Sequence, residues 1–222
     1  MTTNRTEQLI VDLAAGLAPV RRVPPVSLRL MRWAVAGVLI TAVAVWAMGV
    51  RADISAALSV PDVLTTFCLT LLGSVSAAMV ALRLSVPGVE SRWTRWAPLG
   101  LMTLLVAVLV HLAREAGVSP LAIAHEPFHT ACVARVAALA LVPTWLLVHE
   151  IRRGFALDPA STTALAALGG SALAAVAVQL LCPIDRPAHL LVSHVLPALV
   201  LVVAGAAAGA ITPRLVVARE QR

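Results

Sequence analysis

Six stretches of nearly uninterrupted apolar residues, near 31–50, 63–82, 96–112, 130–148, 162–181 and 190–212, dominate this chain. Each has about the length, 17 to 25 residues, that crosses a hydrocarbon core as a helix. The expected fold is therefore all-α: a polytopic membrane protein built as a bundle of six transmembrane helices. Composition agrees, since 60% of residues are hydrophobic, 13% are charged and Tyr is absent, well outside the range of soluble domains. The first stretch lies too far from the N-terminus and is too long for a signal peptide, and no small-residue cleavage site follows it. It reads as a retained helix.

Six spans put both termini on one side. All 17 basic residues are arginines, and their distribution across the loops is lopsided. Arg5, Arg21, Arg22 and Arg29 precede the first span and Arg32 lies at its very start; Arg83, Arg92 and Arg95 follow the second; Arg152 and Arg153 follow the fourth; Arg214, Arg219 and Arg222 follow the sixth. Only Arg51, Arg114, Arg135 and Arg186 fall on the opposite side. The positive-inside rule then places both termini in the cytoplasm. The high pI is accounted for by orientation rather than by direct nucleic-acid binding.

Short connections leave no room for an extramembrane catalytic domain. Gly73 with Ala77, Gly170 with Ala174, and Gly205 with Gly209 have the small-xxx-small spacing that lets helix backbones approach in lipid. Packing within the bundle is the ordinary use of such pairs, and homo-oligomerisation is the other. Pumps and transporters need ionisable side chains near the midplane. The six stretches hold essentially none, Arg135 lying about one turn inside the fourth, and no inverted repeat of broken helices is visible.

Motifs of enzymes are missing too: no HExxH, CxxC, GxSxG or phosphate-binding glycine loop occurs. Of three cysteines, Cys68 falls inside the second span, where a small buried residue is the ordinary explanation. Cys132 opens the fourth span and Cys182 closes the fifth, so antiparallel neighbours bring both to the periplasmic interface. That compartment is oxidising and permits a disulfide. "HEPFHTAC" places His125, His129 and Cys132 at i, i+4 and i+7, and "LLCPIDRPAHLLVSH" adds Asp185, His189 and His194. Thiolate and imidazole suit zinc, copper or cadmium. The residues leave open a reversible Cys132–Cys182 disulfide, a transition-metal ion held by His129, Cys132, Cys182, Asp185 and His189, a static staple, or inert thiols.

Ahead of the first span, residues 5–18 carry Leu9, Ile10, Leu13, Ala14 and Leu17 at three- and four-residue intervals, the pattern of a helix with one apolar face. Asn4 and Glu7 have capping-box spacing. Pro19 and the Pro24–Pro25 pair then enforce an extended linker. A short isolated helix is marginal in water, so this one needs a surface. An anionic inner leaflet would attract its arginines, and a protein groove would accept Leu9, Leu13 and Leu17 as anchors.

"DLAAGLAPVRRVPPV", "LRLSVPG" at 82–88, "RRGFALDP" at 152–159, "LLCPIDR" at 180–186 and "GAITPRLV" at 209–216 together resemble the NrsF family, negative regulators of sigma F. The resemblance covers nearly the whole chain in order. It implies a six-helix inner-membrane anti-sigma factor, not an enzyme, whose partner is a cytoplasmic extracytoplasmic-function (ECF) sigma factor. The sigma-binding element would include Leu9, Ile10, Leu13, Leu17, Arg21 and Arg22, and Cys132 with Cys182 would sense oxidant or heavy metal. The family's usual stretch at the second cysteine reads His-Cys-Pro-Glu-Asp-Ser; here Leu181, Ile184 and Arg186 stand in place of its histidine, glutamate and serine. The change weakens a metal site more than a thiol switch. The expected organisation is a sigma-binding segment at 1–30, a membrane domain at 31–212 and a cytoplasmic tail at 213–222. The competing reading is a small transporter or metal efflux protein.

Overall fold

A computed structural model describes residues 3–15, 23–88 and 96–220, and its regular elements are all helical. In chain order they are α1 (Thr3–Ala15), α2 (Val26–Met48), α3 (Ile54–Leu58), α4 (Pro61–Leu84), α5 (Ala97–Glu115) and α6 (Pro120–Ala124). There follow α7 (Thr130–Ile151), α8 (Pro159–Gln179), α9 (Pro187–Leu190), a π-helical turn at Leu191–Val195 and α10 (Leu196–Glu220). Six helical runs are long and apolar enough to cross a membrane: α2, α4, α5, α7, α8 and the run from Pro187 to Ile211. Prolines sit in the first turn of α4, α5, α6, α8 and α9, where their missing N–H would have had no partner in the helix.

The all-helical six-span fold is as the hydropathy predicts, with helices that outrun the apolar stretches. The first membrane helix begins at Val26, so Arg29 belongs to it and not to a segment ending at residue 30. At the other end of the chain α10 continues to Glu220, through residues read as a tail. Near the N-terminus α1 starts at Thr3, which places Asn4 inside the helix rather than at its cap. Leu17, Arg21 and Arg22 lie outside the described residues.

Packing is organised around α8, which is buried continuously from Leu165 to Val178. Lipid can cover a helix that is apolar on every side, but here the cover is protein, from α4, α7 and α10. Small residues make the cover close. A Cβ on Gly170 would lie 2.6 Å from the backbone nitrogen of Thr144 in α7, and one on Gly169 would lie 3.2 Å from that of Ala78 in α4. A Cβ on Gly209 of α10 would lie 2.3 Å from the carbonyl oxygen of Pro159. The glycines thus serve packing within the bundle. Ser74 Oγ adds a hydrogen bond to the Gly169 carbonyl at 2.7 Å.

The outer helices bury single stripes. That of α2 runs Arg29, Trp33, Gly37, Thr41, Val45 in four-residue steps, and that of α7 runs from Cys132 through Val136, Ala140, Pro143 and Leu147 to Glu150. Trp33 ties the two together by donating from Nε1 to the Pro143 carbonyl at 3.0 Å. Cys68, by contrast, is exposed on the outer face of α4 and not buried, because the buried stripe of that helix passes through Thr66, Thr70, Gly73 and Ala77.

One end of the bundle, where α2 starts and α7 stops, holds a buried charge that hydropathy did not reveal. Arg29 is fully buried. Its Nη2 donates to Ser85 Oγ at 3.0 Å and to the Glu150 carbonyl, and its Nε lies 3.5 Å from Glu150 Oε2. Arg153 approaches the second Glu150 oxygen at 3.2 Å. Ser85 also accepts at its carbonyl from Phe155 N–H at 2.8 Å, and Gly154 leaves the room, since a Cβ there would lie 2.1 Å from that same oxygen. Both charged residues lie at helix ends, just outside the apolar stretches 31–50 and 130–148. Removing one partner of a buried pair strands the other, at a cost of about 3 to 5 kcal/mol. Arg29→Met or Glu150→Leu alone should lower thermal stability in detergent by an amount of that order, and the double variant should be less destabilised than either single one.

Candidate functional site

The opposite end of the bundle gathers the thiols. Cys132 lies in the first turn of α7, two residues past the start of the helix at Thr130, and Cys182 follows the end of α8. Both are buried, both are free, and their sulfurs stand 3.5 Å apart. Val136 and Val178 enclose them from below. His189 is completely buried and its Nε2 lies 3.4 Å from Cys182 Sγ.

His194 joins this group, and its arrival depends on an irregularity. Residues five apart face different sides of a helix with 3.6 residues per turn. The π-helical turn at Leu191–Val195 widens the repeat, and the His189 and His194 rings meet edge to face at 5.3 Å. Wide turns of this type recur at functional sites. His129, the residue capping α7, meets the other side of His189 at 4.6 Å.

Two sets of side chains thus have donor atoms within 4.8 Å of one another: Cys132, Cys182, His189 and His194, and beside them Glu126, His129 and His189. Two thiols and two imidazoles form a donor set that zinc and similar ions accept. The ring nitrogens also invite a ligand: His129 Nε2, His189 Nδ1 and both nitrogens of His194 are buried without a hydrogen-bond partner. Buried polar atoms are normally paired. The residues therefore fit a metal ion chemically, and the facing sulfurs equally fit a disulfide after modest approach.

Two expected members stand apart. Asp185 is turned toward Arg51, whose Nη1 and Nη2 donate to its two oxygens at 2.7 Å each. His125 is exposed, since Pro127 separates α6 from α7 and its Nδ1 pairs with the Leu121 carbonyl at 2.7 Å. Arg51 was not among the expected site residues. It also contacts both oxygens of Asp53 at 2.8 Å and the Cys182 carbonyl at 2.9 Å. Gly49, at φ 86°, allows the sharp exit from α2 that brings Arg51 there. One guanidinium so clasps the end of α2 to the loop carrying the second cysteine. The sequence signal was available: an arginine just beyond a span, opposite an isolated aspartate three residues after a cysteine.

The Arg51 hydrogen bonds hold the Asp53 carboxyl below its usual value, and the two carboxylates push the guanidinium pKa up. A depressed carboxylate pKa contributes stability that is present above the unfolded value and lost as pH falls through the folded one. The Arg51–Asp53 pair should therefore persist at neutral pH and be lost only below the ordinary carboxylate range. Between the two polar ends α8 is apolar from Leu165 to Val178 except for Ser171.

Arg51→Ala should raise the rate at which a small membrane-permeant maleimide labels Cys182, with little change at Cys68, as read by peptide mass spectrometry. Unchanged labelling would show that the clasp does not shield the thiol.

Residues 13–214 match the family model NrsF, described as negative regulator of sigma F. Neither a curated protein nor a solved structure matches the chain.

Proposed function

The chain belongs to the NrsF family, negative regulator of sigma F, and from that premise we propose that it tethers an ECF sigma factor to the inner membrane and releases it when the buried dithiol changes state. The observation that carries this reading is the Cys132–Cys182 pair, 3.5 Å apart, with His189 against one sulfur. A sealed dithiol with an imidazole neighbour is a site that can change covalent or ligation state. Family membership supplies the regulatory output.

The partner surface in this reading is α1. Leu9, Ile10 and Leu13 are exposed at 57%, 59% and 63%, on a helix too short to be stable alone in water. Anchors at this spacing suit a groove on a folded partner. The arginine distribution puts α1, Arg21 and Arg22 in the cytoplasm, where the sigma factor is, and the thiols on the periplasmic face.

Two chemistries can set the switch. Oxidation joins Sγ of Cys132 to Sγ of Cys182, releasing two protons and passing two electrons to an oxidant such as a low-molecular-weight disulfide. His189 Nε2 is placed to take the proton of Cys182. Alternatively, a soft or borderline divalent ion displaces the thiol protons and uses His189 and His194 as further ligands. Either event redraws the junction of α7 with α8. The α7 stripe is continuous from Cys132 to Glu150, so a shift at the thiols reaches Arg29, close to where the linker from α1 enters the membrane.

Two measurements test the reading. Full-length protein in detergent should retain its sigma factor, and Leu9→Asp with Leu13→Asp should weaken retention about thirtyfold, the effect of losing hot-spot anchors. In cells, Cys132→Ser or Cys182→Ser should abolish induction of the sigma-dependent genes, whereas His194→Ala should abolish induction by cadmium and spare induction by disulfide stress. Normal induction in both cysteine variants would overturn the sensing role.

A further inference from the structure

An open groove of about 710 Å³ runs down the outside of the bundle between α7 and α10. Its floor is α8, through Pro159, Thr163 and Ala167; one wall is Leu141, Trp145 and Val148, and the other is Leu201, Ala204 and Ala208. The groove exists because Gly205 and Gly209 let α10 sink onto α8, where a Cβ would lie 3.0 Å from the Thr163 carbonyl and 2.3 Å from that of Pro159. Short side chains at Ala204 and Ala208 then leave the space above them open.

Its depth is that of one leaflet. From Ala140 to Ile151 the α7 wall rises about 17 Å at 1.5 Å per residue, against about 15 Å for half of a 30 Å hydrocarbon core. The mouth lies at the Glu150 end, lined by Arg152 and Phe155. Trp145 and Phe155 stand exposed at 62% and 72%, as aromatic residues do near the headgroups.

The charges at the mouth are unevenly used. Arg153 pairs with Glu150 and reaches His149 at 3.3 Å, and Asp158 caps α8 by accepting from Ser161 N–H. Arg152 is exposed and has no ion pair among the described residues. A cation with no ion pair among the described residues, at headgroup depth over an apolar slot one leaflet deep, calls for an anion carrying an acyl chain. A second copy of this chain fits less well, because a two-fold contact through the same groove would set Arg152 against its own counterpart.

We propose that the α7–α10 groove binds an anionic phospholipid of the adjoining leaflet, with one acyl chain over Thr163 and Ala167 and its phosphate on Arg152. Cavity size lies within the range of ordinary ligand sites. This inference is independent of the sigma-factor reading.

The test reconstitutes the full-length protein in phosphatidylcholine vesicles containing a few per cent of brominated phosphatidylglycerol or, in parallel, brominated phosphatidylcholine. The Trp145 signal is isolated as the difference between the wild type and Trp145→Phe. Phosphatidylglycerol should quench it as though enriched about fivefold over bulk, the factor expected of one basic group at the surface. Arg152→Gln should abolish the preference, Arg152→Lys should keep it, and Ala204→Phe should remove the excess quenching by filling the slot. Equal quenching by the two lipids overturns the proposal. So does a preference that survives Arg152→Gln, which is general attraction to the arginine-rich face, and so does oxidative cross-linking of Ala204→Cys between copies, which assigns the groove to a dimer.

Discussion

Close approach of helix backbones to α8 governs where both polar ends of the bundle fall. In lipid there is little hydrophobic drive between helices, so contact depends on small residues that bring backbones together. Gly169 and Gly170 are adjacent in sequence and so point to different sides of α8, one toward α4 and the other toward α7. Two neighbouring helices are thereby set at fixed depth on one central rod. Gly209 of α10 does the same from outside. With α7 held in this register, Cys132 meets Cys182 at one end and Glu150 meets Arg29 at the other.

The same two helices, α2 and α7, reach both ends. Buried polar groups in a membrane bundle are costly and are usually paired. Arg29 meets that demand in part, through Ser85 and the carboxylate and carbonyl of Glu150, while its Nε and Nη1 and Glu150 Oε2 make no hydrogen bond. At the thiol end, too, several buried polar atoms, the histidine ring nitrogens, lack partners. One end is thus a charge-paired joint and the other a cluster of two thiols and three imidazoles. Both α2 and α7 run between them: α2 carries Arg29 near its start and leads into Arg51, and α7 carries Cys132 and Glu150. The two helices that meet at the buried charge thus also reach the thiol end.

The motifs that carry the family resemblance also acquire physical meaning. "LRLSVPG" contributes Ser85, "RRGFALDP" contributes Arg153, Gly154 and Phe155, and these meet around Arg29. Gly154 must be glycine because the Ser85 carbonyl occupies the space of a Cβ. In "LLCPIDR", Cys182 and Asp185 are held by a single guanidinium, that of Arg51.

Apolar length and small-residue spacing by themselves determined that the chain is an all-helical, six-span protein, since both follow from local chemistry in a bilayer. Helix order and antiparallel connection were also enough to bring Cys132 and Cys182 to the same end. Tertiary structure alone decided the membership of each polar cluster. His194 joined the thiols because a π-helical turn altered its direction, and Asp185 left them because Arg51, distant in sequence, was the stronger partner. Arg29 moved from linker to core because a buried glutamate and serine compensated a charge that hydropathy counts only as a cost. Periodicity records which face a side chain takes in a regular helix; partners from other helices, and departures from regularity, set the rest.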